Sequence, residues 1–146
     1  MVMNLRAVLL AFLGVSIILR GLILASDGLL WYDNPVNGHG YALVVFTLVD
    51  VILLGLVAIG RGVGAVLVWA VLQTLALLLN PLTAFTINIS PMEFALYLYG
   101  ITPIGSTSSF SCPLLCPPFR YSYIILLIVQ IAMAVTAFQL RKMMGK

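Results

Sequence analysis

Residues 41–60 read YALVVFTLVDVILLGLVAIG, a run in which a single charge interrupts an otherwise apolar stretch. A helix needs about 20 apolar residues to cross the hydrocarbon layer of a bilayer, so this run is a membrane span. Its one acid, Asp50, falls near the middle. A carboxylate at that depth costs several kcal/mol, about 2.5–3.5 on insertion scales, unless a partner or a water-filled cavity receives it. The reading of the chain turns on what faces Asp50.

Three further runs have the same character, at 6–26, 63–82 and 121–140. Across all 146 residues the apolar fraction is 63 %, the charged fraction 8 % and the mean hydropathy +1.20. One soluble core of this size cannot hide that much apolar surface, so lipid is part of the solvent. The expectation is an all-α integral membrane protein, a single transmembrane domain over residues 1–146 built as a four-helix bundle. The first run carries features of a signal peptide, with Arg6 ahead of it and Ala25-Ser26 near its end. Arg20 interrupts it, however, and a retained anchor helix is the preferred reading.

Basic residues set the orientation. Arg6, Arg61, Arg141, Lys142 and Lys146 all fall on one side of four crossings, whereas the opposite loops hold Asp27, Asp33, Glu93 and Arg120. Both termini are therefore expected in the cytoplasm, with 27–40 and 83–120 outside the cell membrane. Trp31, Tyr32, Tyr41, Phe85, Tyr97, Tyr99, Phe119, Tyr121 and Tyr123 cluster toward that outer boundary, where amphipathic rings favour the headgroup region. The scattered positive charges, net +3, do not form a nucleic-acid footprint.

Local signals fill in the connections. Gly60-Arg61-Gly62 is short enough to force an antiparallel hairpin, and Asn80-Pro81 bends or ends the third span. Ser90-Pro91-Met92-Glu93 has the form of a helix start, and Gly100 a stop, which predicts a short interfacial helix on the outer face. Asn88-Ile89-Ser90 matches a glycosylation tripeptide, read as a chance occurrence because a proline follows and Ser90 serves as the cap.

Chemistry-bearing residues are few. One histidine (His39) and two cysteines (Cys112 and Cys116) exclude a bis-histidine haem, a four-cysteine zinc site and a four-cysteine iron–sulfur site within one copy. No glycine loop of the phosphate-cradling type is present, and no cofactor is expected. Cys112 and Cys116 lie on the oxidising side, and a disulfide stapling the entry to the fourth span is the preferred reading. A redox-active pair is the alternative, although the three-residue spacer flanked by prolines is unlike thiol–disulfide enzymes. A metal site from His39, Asp27 and Asp33 is imaginable, but a polar turn explains that loop without one.

The mid-span polar residues Arg20, Asp50, Gln73 and Gln130 predict an intramembrane network. Counted from the outer end, Arg20 lies about seven residues deep and Asp50 about nine, a difference of roughly 3 Å that an arginine side chain covers. Trp69, Gln73 and Asn80 share one helix face, and Ser16 lies one turn before Arg20 on its own. Gly21 with Ala25 and Ala132 with Thr136 are small-residue pairs suited to close helix approach. These features predict a non-catalytic accessory or structural subunit of a larger membrane complex, energy-transducing or respiratory, whose partners are lipid and other membrane subunits. Two alternatives stand beside it: a small proton-linked transporter acting through Asp50, and an outer-face thiol–disulfide oxidoreductase coupled to a quinone.

Overall fold

The computed structural model describes residues 2–27, 38–87, 89–99 and 121–144. They form five α-helices: α1 (Val2–Ser26), α2 (Gly38–Ala58), α3 (Val63–Leu79), α4 (Pro91–Leu98) and α5 (Ser122–Met144). A 3-10 segment, Asn80–Ile87, continues α3. In hydrocarbon every backbone donor and acceptor must be satisfied within the segment, which is why even the valine-rich α2 is helical despite the strand preference of β-branched residues. Helices α1, α2, α5 and the α3 continuation are long and apolar enough to cross a membrane. The protein is an all-α, multi-pass membrane bundle.

The packing order differs from the chain order. α1 lies against α2 and α5, and α5 in turn against α3. The backbones of α2 and α3, though joined by a tight turn, stand apart along most of their lengths. That turn uses left-handed backbone at Gly60 (φ 84°) and Gly62 (φ 78°), conformations open to glycine at little cost.

Two apolar clusters occupy opposite ends of the bundle. The first holds Leu9 and Leu13 of α1, Leu53 and Val57 of α2, Val63 and Val66 of α3, and Met133, Ala137 and Leu140 of α5. The beginnings of α1 and α3 therefore meet the ends of α2 and α5. Arg6 reinforces this end: its Nε donates to the Val57 carbonyl at 2.8 Å, and Nη2 donates to that of Ala58. The Val57 carbonyl also accepts from the Gly60 amide at 3.0 Å, and the Arg6 cation adds a favourable charge at the negative end of the α2 dipole.

The second cluster joins Leu19, Ile23, Leu43, Tyr123, Leu126 and Val129 to Ala84, Ile89, Phe94, Tyr97 and Leu98. Helix α4 is thus a lid folded onto the end of the bundle, with Phe94, Tyr97 and Leu98 buried. Ser90 caps it, accepting from the Glu93 amide at 3.1 Å, with Pro91 at the first helical position. Two sequence expectations change here. Tyr97 and Tyr123 do not present their rings outward, whereas Tyr41, Phe85 and Tyr121 are exposed. Gly21 and Ala25 also face outward, and nothing lies within 4 Å of the position a side chain would take at Gly21, so that pair brings no helix close.

Candidate functional site

Between the two apolar clusters lies a layer of buried polar side chains: Ser16, Arg20, Asp50, Gln73 and Gln130, none more than 1 % exposed. Hydroxyls elsewhere in the spans are satisfied within their own helices. Thr47, Thr74 and Thr136 donate to the carbonyls of Leu43, Ala70 and Ala132 at 2.7–2.8 Å. The layer is a different kind of object, because its bonds run between helices.

Asp50 is its centre. Oδ2 accepts from Ser16 Oγ at 2.7 Å and from Arg20 Nη1 at 2.6 Å, both from α1. Oδ1 accepts from Trp69 Nε1 at 2.8 Å and from Gln73 Nε2 at 3.0 Å, both from α3. α5 joins through Gln130, whose Nε2 donates to Ser16 Oγ at 2.8 Å. A carboxylate offers about four lone-pair sites, and here all are filled by donors. This is the acceptor pattern of the ionised form, since a protonated acid would turn one donor away. The orientation of Gln73 follows as well: its amide must present NH2 to an acceptor-only partner, which leaves Oε1 on the other side.

The sequence-selected residues Arg20, Asp50 and Gln73 thus meet directly, and Gln130 is one hydroxyl removed. Ser16 and Trp69 lie on the helix faces that the periodicity indicates, and their donation into Asp50 emerges only from the packing of the helices. Trp69 is further held by Phe46, edge to face at 5.3 Å, and Phe46 in turn lies 5.8 Å from the Arg20 guanidinium carbon. Cys112, Cys116, Asp33, Asn88 and most of the outer loop lie outside the described residues.

A second buried acid lies at the α4 end. Asp27, 1 % exposed, accepts from Tyr97 Oη on Oδ1 and from Tyr123 Oη on Oδ2, each at 2.6 Å. It is therefore not the loop residue at the outer mouth that the sequence suggested. Nor does it pair with His39 for a metal. His39 Nε2 lies 2.6 Å from Thr83 Oγ1, and the imidazole meets Phe94 edge-on at 5.6 Å. Thr83 Oγ1 donates to the Asn80 carbonyl, so its lone pair accepts from His39 Nε2, which assigns the proton to that nitrogen. Among the described residues no group of three or more metal-ligating side chains is found.

Burial first, and then the Asp27 carboxylate beside it, push the Tyr97 phenol well above its ordinary range. A raised value in the folded chain means that the unfolded chain loses its proton first. Stability from this contact is complete below the unfolded phenol value of about 10 and declines as pH rises beyond it. The melting temperature is expected to drop above that pH, and to drop less steeply in Tyr97→Phe. An equal slope in the two proteins would contradict the assignment.

The other feature of the site is a cleft of about 430 Å³ between the first half of α2 and the second half of α3. Its floor holds Arg20 and Gln73, its walls include Leu43, Phe46, Ala76 and Leu77, and His39, Asn80 and Thr83 stand at its far end, toward α4. It exists because α2 and α3 diverge from their turn while Asp50, Trp69 and Phe46 tie them at mid-depth. No protein-family model, curated protein or solved structure matches this chain.

Proposed function

We propose that this protein is a non-catalytic accessory subunit of a larger membrane complex, an energy-transducing or respiratory one. The observation that carries the reading is the closed state of the Asp50 layer. A carrier that moves protons needs an acid that exchanges its proton and its partners during a cycle. Asp50 instead has every acceptor site filled by donors from two other helices, with a third joined through Ser16. Such a knot fixes helix register and makes the bundle a rigid support. Polar contacts in membranes average about 0.6 kcal/mol each, so they specify an arrangement more than they stabilise it.

In the proposed orientation both termini lie in the cytoplasm and α4 on the outer face of the cell membrane. That face offers partners exposed apolar groups, Phe85, Met92 and Tyr121, around a lid held in place by Asp27. The lipid-facing sides of α2 and α3, with Leu48, Ile52, Val68 and Leu72 exposed, suit either acyl chains or neighbouring helices.

Mild-detergent extraction of the native chain tests the reading. Stoichiometric recovery of other membrane subunits is expected, and vesicles reconstituted with the chain alone are expected to pass no more protons than empty ones. A monomer without partners would overturn it, and so would proton flux abolished by Asp50→Asn, which would favour the carrier.

A further inference from the structure

The bonds around Asp50 account for the carboxylate but not for all of its donors. Arg20 Nε and Gln73 Oε1 are buried without a hydrogen-bond partner, and both residues belong to the floor of the α2–α3 cleft. A buried polar atom left unpaired costs about 1–3 kcal/mol. Both atoms, one a donor and one an acceptor, belong to residues that line one cavity, and a small turn of either side chain would bring it to a group in the cleft that can both accept and donate.

The charge of the floor narrows that group further. The Arg20 guanidinium is neutralised by Asp50 at 2.6 Å, so the pair offers no free positive charge. An anionic head would sit beside the Asp50 carboxylate, and a cationic one beside Arg20. Either would be taken from water into a low dielectric without a counter-ion, which is unfavourable. The head is therefore neutral. Above the floor the walls are apolar, formed by Ala42, Leu43, Phe46, Ala76 and Leu77. The volume, about 430 Å³, lies within the ordinary range of small-molecule pockets.

We propose that the cleft between α2 and α3 binds a neutral, lipid-soluble molecule through a hydroxyl-bearing head, the hydroxyl accepting from Arg20 Nε and donating to Gln73 Oε1. The site goes beyond the subunit reading and does not depend on it. Entry is from the bilayer, because the backbones of the two helices that frame the cleft stand apart. The His39–Thr83 contact ties the start of α2 to the segment after α3 across the outer end.

The test is photo-crosslinking of the full chain in lipid nanodiscs with a diazirine-bearing long-chain alcohol, followed by mapping of the adducts. Adducts are expected on the wall residues around Leu43 and Leu77. Unlabelled decanol is expected to compete at least tenfold better than decane or decanoate. Ala76→Phe, which narrows the cleft without touching the polar layer, is expected to lower labelling at least tenfold at an unchanged melting temperature. Gln73→Leu is expected to abolish the preference of the site for alcohol over alkane. Labelling spread evenly over Leu48, Ile52 and Leu75 would overturn the proposal. Equal competition by decane, or a second copy of the chain cross-linked into the cleft in place of the alcohol, would do so too.

Discussion

Asp50→Asn is expected to destabilise the bundle by about 3–5 kcal/mol, the cost of leaving one member of a buried ion pair without its counter-charge. The asparagine is nearly isosteric, so the loss is not one of packing. It arises because Arg20, 1 % exposed, keeps its charge, and because the new NH2 group confronts donors already aimed at that position. Arg20→Met should also be costly but less so, since Ser16, Trp69 and Gln73 still donate into the carboxylate. Combining Arg20→Met with Asp50→Leu removes both charges, and apolar replacement of a whole buried pair is often close to neutral. The double variant is therefore expected to be more stable than Asp50→Asn, short of the parent because Trp69 and Gln73 lose their acceptor. Reversible unfolding in mixed micelles reads these differences. A double-variant cost equal to the sum of the Arg20→Met and Asp50→Leu single-variant costs would mean that Arg20 and Asp50 do not act as a pair.

The second large effect is expected from Asp27→Ala. This change leaves the Tyr97 and Tyr123 hydroxyls buried without an acceptor, at about 1–3 kcal/mol each. Much of that cost can be relieved by lifting α4 off the bundle, which it meets chiefly through the apolar contacts of Phe94, Tyr97 and Leu98. Local opening is thus the predicted response, not global unfolding. Amide exchange in α4 is expected to accelerate roughly ten- to a hundredfold, since about 1.4 kcal/mol corresponds to a factor of ten. Exchange in the middle of α5 should be little changed. Uniform acceleration along the chain would show that α4 is not a separable lid.

These two sites differ in how far the sequence announces them. Asp50 stands out because it is the only charge in its span, and counting residues from the outer end brings Arg20 to a similar level. Helical periodicity also puts Ser16 on the Arg20 face and Trp69 on the Gln73 face. Periodicity stops there, since it does not specify which helix stands next to which. α2 and α3 are neighbours in the chain yet their backbones stand apart and meet through the Asp50, Trp69 and Gln73 side chains, whereas α1 and α5, at opposite ends, are packed together. Trp69 and Ser16 become donors to Asp50 only in that arrangement.

Asp27 lies immediately after the last helical residue of α1, and charge alone places such a residue in a loop. Its partners are 70 and 96 residues away, and the lid that brings Tyr97 over it is an eight-residue helix whose docking leaves no periodic trace. Arg6 gives a third case. As a positive charge before a span it reads as a topology signal, and its bonds to Val57 and Ala58 follow only from the antiparallel pairing of α1 and α2. What remained hidden in each case is a contact distant in sequence, fixed by tertiary packing.

The account rests on Asp50 as the shared acceptor of its neighbours, and the Trp69 indole reports on this most directly. With Trp31 replaced by phenylalanine, Trp69 is the sole indole of the chain. Its N–H proton, observed by nitrogen-15 NMR, is predicted to resonate at the downfield position of an indole bonded to a carboxylate. It is predicted to move upfield in the folded Arg20→Met, Asp50→Leu variant. An indole resonance that is the same in both proteins would contradict the central claim.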